Sequence, residues 1–369
     1  MGSAVAAHAA RRGKRVLGVE RFALGHDLGA SSGRTRIIRK AYFEAPAYVP
    51  LLERAYELWT ALERETGTVL VDRCGVLVVG SATSLALAGV RRSAAQFAID
   101  VEEYSAAKMH ERWPQCRPLS AEAGLFERDA GVVFPERGIA AHQRIAIAHG
   151  AELRAHTEVA AWSRRAGGAL ELQFRGGARI ETERLALCAG PWMGSLTGEL
   201  ALPIVVQRNV QLWFGAPAAQ LGERRMPAFF VDRAGFPKPL YGTPDYGDGL
   251  KAALHGFGDR VEPDALDRAI APEDIDAVAR ALDAWLPGAA ATYREGKACM
   301  YALTPDEHFI IDLDPRDAGI VIAGGFSGHG YKFAPVVGEI VADLALDGAA
   351  RHPIDFLSLK RFTSRRPPL

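Results

Sequence analysis

The sequence predicts an α/β fold of two domains, on three observations. Its 369 residues exceed what one typical hydrophobic core supports. It opens with an alanine-rich helix, a turn at Gly13 and a short apolar strand closed by Glu20, the second half of a dinucleotide-binding unit. Beyond that, amphipathic helical stretches alternate with apolar runs, such as Gly75 to Gly80, Leu185 to Ala189 and Ile320 to Gly325, that read as buried strands.

Composition narrows the partners. Forty-four basic and 44 acidic residues cancel, and no basic block or basic-aromatic interleaving suits a nucleic acid, so a small molecule is expected. No apolar run approaches the roughly 20 residues that span a bilayer, and no secretory h-region opens the chain; the expected location is the cytoplasm. Cys74, Cys116, Cys188 and Cys299 lack C-x-x-C spacing, so neither a metal site nor a disulfide framework is expected.

In the opening unit, Gly2 stands where the last glycine of a G-x-G-x-x-G fingerprint belongs. The first strand and the first two glycines are therefore expected to be missing before Met1, and a chain starting here is expected to bind a dinucleotide poorly. A carboxylate at Glu20 suits the adenosine ribose hydroxyls, in NAD and FAD enzymes alike; an ordinary surface acid is the other reading. In 29–39, small residues permit close backbone approach. Arg36 and Arg39, three apart, share a face on a helical turn and call for an anion, unless they form a solvated basic edge.

Leu51, Leu52, Ala55, Leu58, Trp59 and Leu62 describe an amphipathic core helix. The first crossing into a second domain is placed near residue 67, Ser81 to Arg128 reads as helical, and Gly131 to Pro135 marks the return. A helix is expected over Gln143 to His149, then a strand pair, then the strand ending at Gly190, with Cys188 an inert core thiol. The second pass begins at Pro203 to Phe214. Farther on, Leu250, Ala252 and Leu254 alternate with Lys251, Ala253 and His255, which puts the lysine and histidine on one strand face. Such a face ordinarily meets solvent. Asp264 to Leu286 reads as a helix stopped by Pro287-Gly288, and the tail Ser364 to Leu369 is basic, proline-containing and expected to be mobile.

Cys299-Met300-Tyr301, the run Asp306 to Asp312, and Gly325-Phe326-Ser327-Gly328-His329-Gly330-Tyr331-Lys332 flank two apolar strands that bring a thiol, a phenol, a loop of small residues and a lysine toward one place. With Thr35 to Arg39, Tyr241-Gly242 and Gly249-Leu250-Lys251, these motifs resemble the monomeric sarcosine oxidase and N-methyltryptophan oxidase family over nearly the whole chain. Two positions depart from it: Ala302 stands where sarcosine oxidases usually carry threonine, and Ser32 where some relatives carry histidine.

The resemblance implies a discontinuous, glutathione-reductase-like FAD-binding domain over 1–66, 135–202 and 303–369. A smaller α+β substrate domain with an antiparallel sheet would occupy 67–134 and 203–302. It implies FAD bound covalently through Cys299, with Gly2, Glu20, Arg21, Ser32, Val159, Gly190, Gly328, His329 and Gly330 around it and Arg36 against the ring. Arg39 would fork to the substrate carboxylate, Lys332 would join it or sit at the flavin, and Tyr241, His255, Tyr301 and Gly328 would shape the pocket. Lys251 would serve O2 at the flavin. The implied reaction is oxidation of an N-methyl or cyclic amino acid to an imine by a monomer, with O2 reduced to H2O2. Three alternatives stay open: a dehydrogenase using another acceptor, a D-amino acid oxidase-like enzyme, and a flavin-binding protein without catalysis.

Overall fold

The computed structural model of the chain describes residues 1–215 and 218–363; the tail Ser364 to Leu369 lies outside them. The opening forms as its pattern predicts: the helix Gly2–Arg11, a left-handed Gly13, and the strand Leu17–Val19 running into Glu20. Ala4, Ala6, Ala7 and Ala10 are buried because the helix Ala334–Asp347 crosses very close. A Cβ on Gly338 would lie 2.6 Å from that of Ala4. The strand Leu17–Val19 pairs in parallel with Glu152–Arg154. Nearby, Leu185–Leu187 runs parallel to Asp317–Gly324, which pairs antiparallel with Ile310–Asp314. Trp59, Ile311, Val321, Phe333 and Val337 belong to the hydrophobic core of this part.

The second part is an eight-stranded sheet in the order Thr292–Leu303, Val205–Gly215, Leu250–Leu254, Leu240–Thr243, Ala228–Asp232, Val76–Ser81, Glu122–Glu127, Glu102–Ser105. All neighbours are antiparallel except Ala228–Asp232 and Val76–Ser81. Period-two alternation in Val205–Gly215 sends Val210, Leu212 and Phe214 to a core under the helix Pro272–Trp285. Gln207, Asn209 and Gln211 therefore take the opposite face, opposite Tyr301, Cys299 and Lys297 of the next strand. No helix among the described residues is long and apolar enough to cross a membrane.

Three expected elements are corrected. The stretch 81–128 holds two helices, Leu85–Phe97 and Ala106–Arg112, and two strands, Glu102–Ser105 and Glu122–Glu127. The last of these lies in the stretch that reads as helical, and both of its acids are buried with distant partners. Glu122 is forked to Arg233 at 2.7 Å, and Glu127 accepts the backbone N–H groups of Lys40 and Ala41 at 2.8 Å. The helix expected from Gln143 begins at Pro135, where proline fits a first turn. The helix expected from Asp264 begins only at Pro272, since the residue before a proline is pushed out of the α region and Ala271 is extended.

Candidate active site

One cavity of about 1380 Å³ lies between the two parts of the fold. Gly2, Glu20, Arg21, Val159 and Gly190 line it together. Glu20 sits at the strand end with one oxygen accepting the Phe22 N–H at 2.9 Å and the other 3.3 Å from His26 Nε2. Arg21 pairs with Asp264 at 2.9 Å. Gly190 has φ of 55°, which a side chain would resist, and it opens a 3-10 turn. A helix start, an acid at a strand end and a glycine turn on one wall are the donor and acceptor set that an adenine dinucleotide needs.

Across the cavity, the loop 325–332 and the segment after Ile38 place a charged cluster. Arg39 is buried, donates to Ala41 O at 3.1 Å and to Glu44 Oε2 at 2.7 Å, and stacks on Phe43 with 3.8 Å from guanidinium carbon to ring centre. Burial would raise the Glu44 carboxyl, but Arg39, then His329 and Lys332, outweigh it and hold it at about 2. Lys332 Nζ donates to His329 O at 2.8 Å and Tyr42 Oη at 3.4 Å; burial, then Arg39, lowers it to about 7 against the pull of Glu44. His329 Nε2 lies 3.0 Å from Glu307 O and Nδ1 meets the Tyr42 hydroxyl, while burial and the nearby Lys332 press it down to about 3 against Glu44. Neutral His329 thus donates from Nε2 and accepts at Nδ1.

The sheet supplies the third wall. Tyr241, His255 and Tyr301 line the cavity, with His255 Nδ1 3.3 Å from Tyr301 Oη and the two rings 5.5 Å apart. Burial lowers His255 to about 4 and raises Tyr241 to about 12, so both are neutral near pH 7. Gly328, at φ of 77°, presses its backbone on Tyr301: a Cβ there would run into the ring. Gly330 lines the cavity too, and a Cβ on it would lie 2.5 Å from that of Phe326.

Arg36 lines the cavity, with Nη1 donating to Thr35 O at 2.8 Å and Gln211 Oε1 at 3.1 Å, and Nη2 bonded to Ser32 O. Three predicted residues sit beneath the surface. Ser32 is buried, its hydroxyl spent on Asp27 O at 3.0 Å, while Ser31 faces the cavity. Lys251 is 1% exposed, and two of its three protons go to Gly33 O at 2.8 Å and Thr35 O at 2.7 Å. Burial, then Arg36, pushes its pKa well down. Cys299 is 2% exposed, two residues before Tyr301 on one sheet face, and outside the cavity lining. The turn 33–35 crosses in front of the Lys251 amine, which lies behind the cavity lining.

Sequence reasoning missed Glu44, Tyr42, Phe43, Gln211 and Phe230. Of these only Gln211 carried a signal: with Gln207 and Asn209 it puts three amides on one face of a strand whose other face carries Val210, Leu212 and Phe214. Phe43 and Phe230, with ring centres 4.8 Å apart, continue the wall from Arg39 to His255.

Residues 1–344 match the family model described as FAD dependent oxidoreductase. The chain is 38% identical over 379 residues to the monomeric sarcosine oxidase of Streptomyces avermitilis, covering 99% of this chain and 96% of that protein. It is 34% identical over 366 residues to the N-methyl-L-tryptophan oxidase of Salmonella heidelberg, covering 98% and 96%. The solved structure of L-proline dehydrogenase from P. horikoshii superposes with a TM-score of 0.86 at 21% identity over 98% of this chain and 95% of that one, a likeness of fold.

Proposed function

This chain belongs to the FAD-dependent oxidoreductase family, and from that premise we propose that it oxidises a secondary amino acid, N-methylated or cyclic, to an imine, with O2 as acceptor. The observation that carries the reading is that Arg39 already holds a carboxylate. Its Nη2 lies 2.7 Å from Glu44 Oε2 in the wall that also presents Lys332, His255 and Tyr301. A substrate carboxylate would compete with Glu44 for that fork, and the Lys332 ammonium would add a second cation.

FAD, when bound, supplies the acceptor for the hydride that leaves the carbon beside nitrogen. The chain's own residues do the rest. Glu20, Arg21, Val159 and Gly190 would hold the nucleotide, and Arg36 would lie at the ring. Neutral His255 and the Tyr241 and Tyr301 rings would enclose the amine and exclude water, with His255 able to take a hydrogen bond from it. In this reading 1–66, 135–202 and the stretch from 303 onward carry the cofactor, while 67–134 and 203–302 roof the substrate. The enzyme works as a monomer, with Cys299 as the covalent tether.

One observation favours a second reading. Lys251 is spent on two carbonyls and has its pKa well lowered, a poor state for stabilising charge on oxygen. Electrons would then leave to another acceptor. Purified protein given a panel of N-methyl, cyclic and primary amino acids, with O2 uptake and peroxide both recorded, decides between them. Stoichiometric peroxide from N-methyl or cyclic substrates is expected. Reduction of the flavin by these substrates without O2 uptake would select the dehydrogenase, and turnover of primary D-amino acids alone would refute the secondary-amine assignment.

A further inference from the structure

We propose that Gln211 is a positioning residue that fixes Arg36 against the cofactor and offers the ring a second hydrogen-bond donor of its own. The proposal rests on the FAD reading above. Gln211 stands on the cavity face of Val205–Gly215, is 1% exposed, and lines the cavity.

The orientation of its amide is dictated by its partner. Arg36 has donors only, so the atom 3.1 Å from its Nη1 must be Oε1. Nε2 is thereby turned away, and its two N–H groups meet no acceptor among the described residues. Neither is Nε2 sealed in protein, for among the described residues the fully enclosed unpartnered side-chain atoms are Tyr56 Oη, Asn209 Oδ1 and Trp285 Nε1. Its remaining outlet is the cavity that Gln211 lines.

The contact has little slack. Gly33, at φ of 120°, packs on it so closely that a Cβ would run into Gln211 Oε1 and lie 2.8 Å from Arg36 Nη1. Among the described residues Arg36 otherwise bonds backbone oxygens alone, of Thr35, Ala30 and Ser32, so Gln211 is the side chain that sets its reach. A reduced flavin is richer in electrons than an oxidised one, and fixed donors facing it favour the reduced form. A hydrogen bond involving a charged group is worth about a factor of ten or more.

Anaerobic redox titration of the flavin tests this on the holoenzyme and three variants. Gln211→Glu keeps an acceptor for Arg36, removes both N–H groups and adds a charge; Gln211→Met keeps the volume and removes both functions. Gln96→Glu adds the same charge on an exposed helix face as a control. At the wild-type midpoint, the reduced-to-oxidised ratio is expected to fall about tenfold in both Gln211 variants, roughly 30 mV for a two-electron couple, further in Gln211→Glu, and to hold in the control. Unchanged midpoints in both variants overturn the assignment, and so does a variant that melts early while its folded fraction keeps the wild-type midpoint. A wild-type protein that neither carries nor takes up FAD sinks this assignment and the FAD reading together, which sets that failure apart from the others.

Discussion

Replacing Lys332 with methionine is expected to abolish a pH dependence of carboxylate binding that the wild type shows. Lys332 Nζ is buried, bonded to His329 O and near the Tyr42 hydroxyl; burial, then Arg39, brings it to about 7. Below that value the ammonium is already present and an anion binds without taking up a proton. Above it, each bound anion must bring a proton with it, so Kd rises about tenfold per pH unit until the raised pKa of the complex is reached. Between pH 6 and 9 this is roughly 100-fold, or about 2.7 kcal/mol at 1.36 kcal/mol per pKa unit. Glu44 at about 2, His329 at about 3 and His255 at about 4 have finished titrating, and the burial-raised Tyr42 has not begun. Propionate carries the carboxylate without an amine, and its binding is read from the perturbed flavin absorbance between pH 6 and 9. The Lys332→Met profile should be flat and, at pH 6, weaker by about 10- to 100-fold, the worth of a charged hydrogen bond. A flat wild-type profile, or a slope that survives in Lys332→Met, would refute the reasoning.

Arg39→Met should lower stability by about 3–5 kcal/mol in a thermal or denaturant melt, because it strands the Glu44 carboxylate; adding Glu44→Gln should restore part of the loss. Lys251→Met should leave anaerobic flavin reduction by substrate intact; with O2 as the acceptor it should slow reoxidation roughly 10²–10³-fold in stopped flow, whereas an undiminished oxygen rate would select the second reading, in which the amine is spent on its two carbonyls. Acid-denatured wild type should keep its yellow colour on the chain and Cys299→Ser should release it; free flavin from the wild type would remove the covalent bond from the reading.

Legibility followed the range of the forces involved. The helix Gly2–Arg11, the strand ending at Glu20 and the paired strands around Ile311 and Val321 could be read because small or alternating apolar residues report their own burial locally. The strand Glu122–Glu127 could not, since its acids find partners 111 and 86 residues away. Glu44 gave no sign of its place for the same reason: it is a site residue only because Arg39, His329 and Lys332 converge on it. The depth of Lys251 was not legible either, because a turn from residues 33–35 closes over its amine.

By itself the sequence determined the α/β class, the half-unit that meets a nucleotide, and the side-chain types that a cavity for an amino acid would need. Those properties are carried by spacing and chemistry within short stretches. Only the tertiary structure decided which cations face the cavity, which are spent on carbonyls beneath it, and which amide is left with unused donors. Those outcomes depend on where distant segments cross, and on the cost of leaving any buried charge or N–H without a partner.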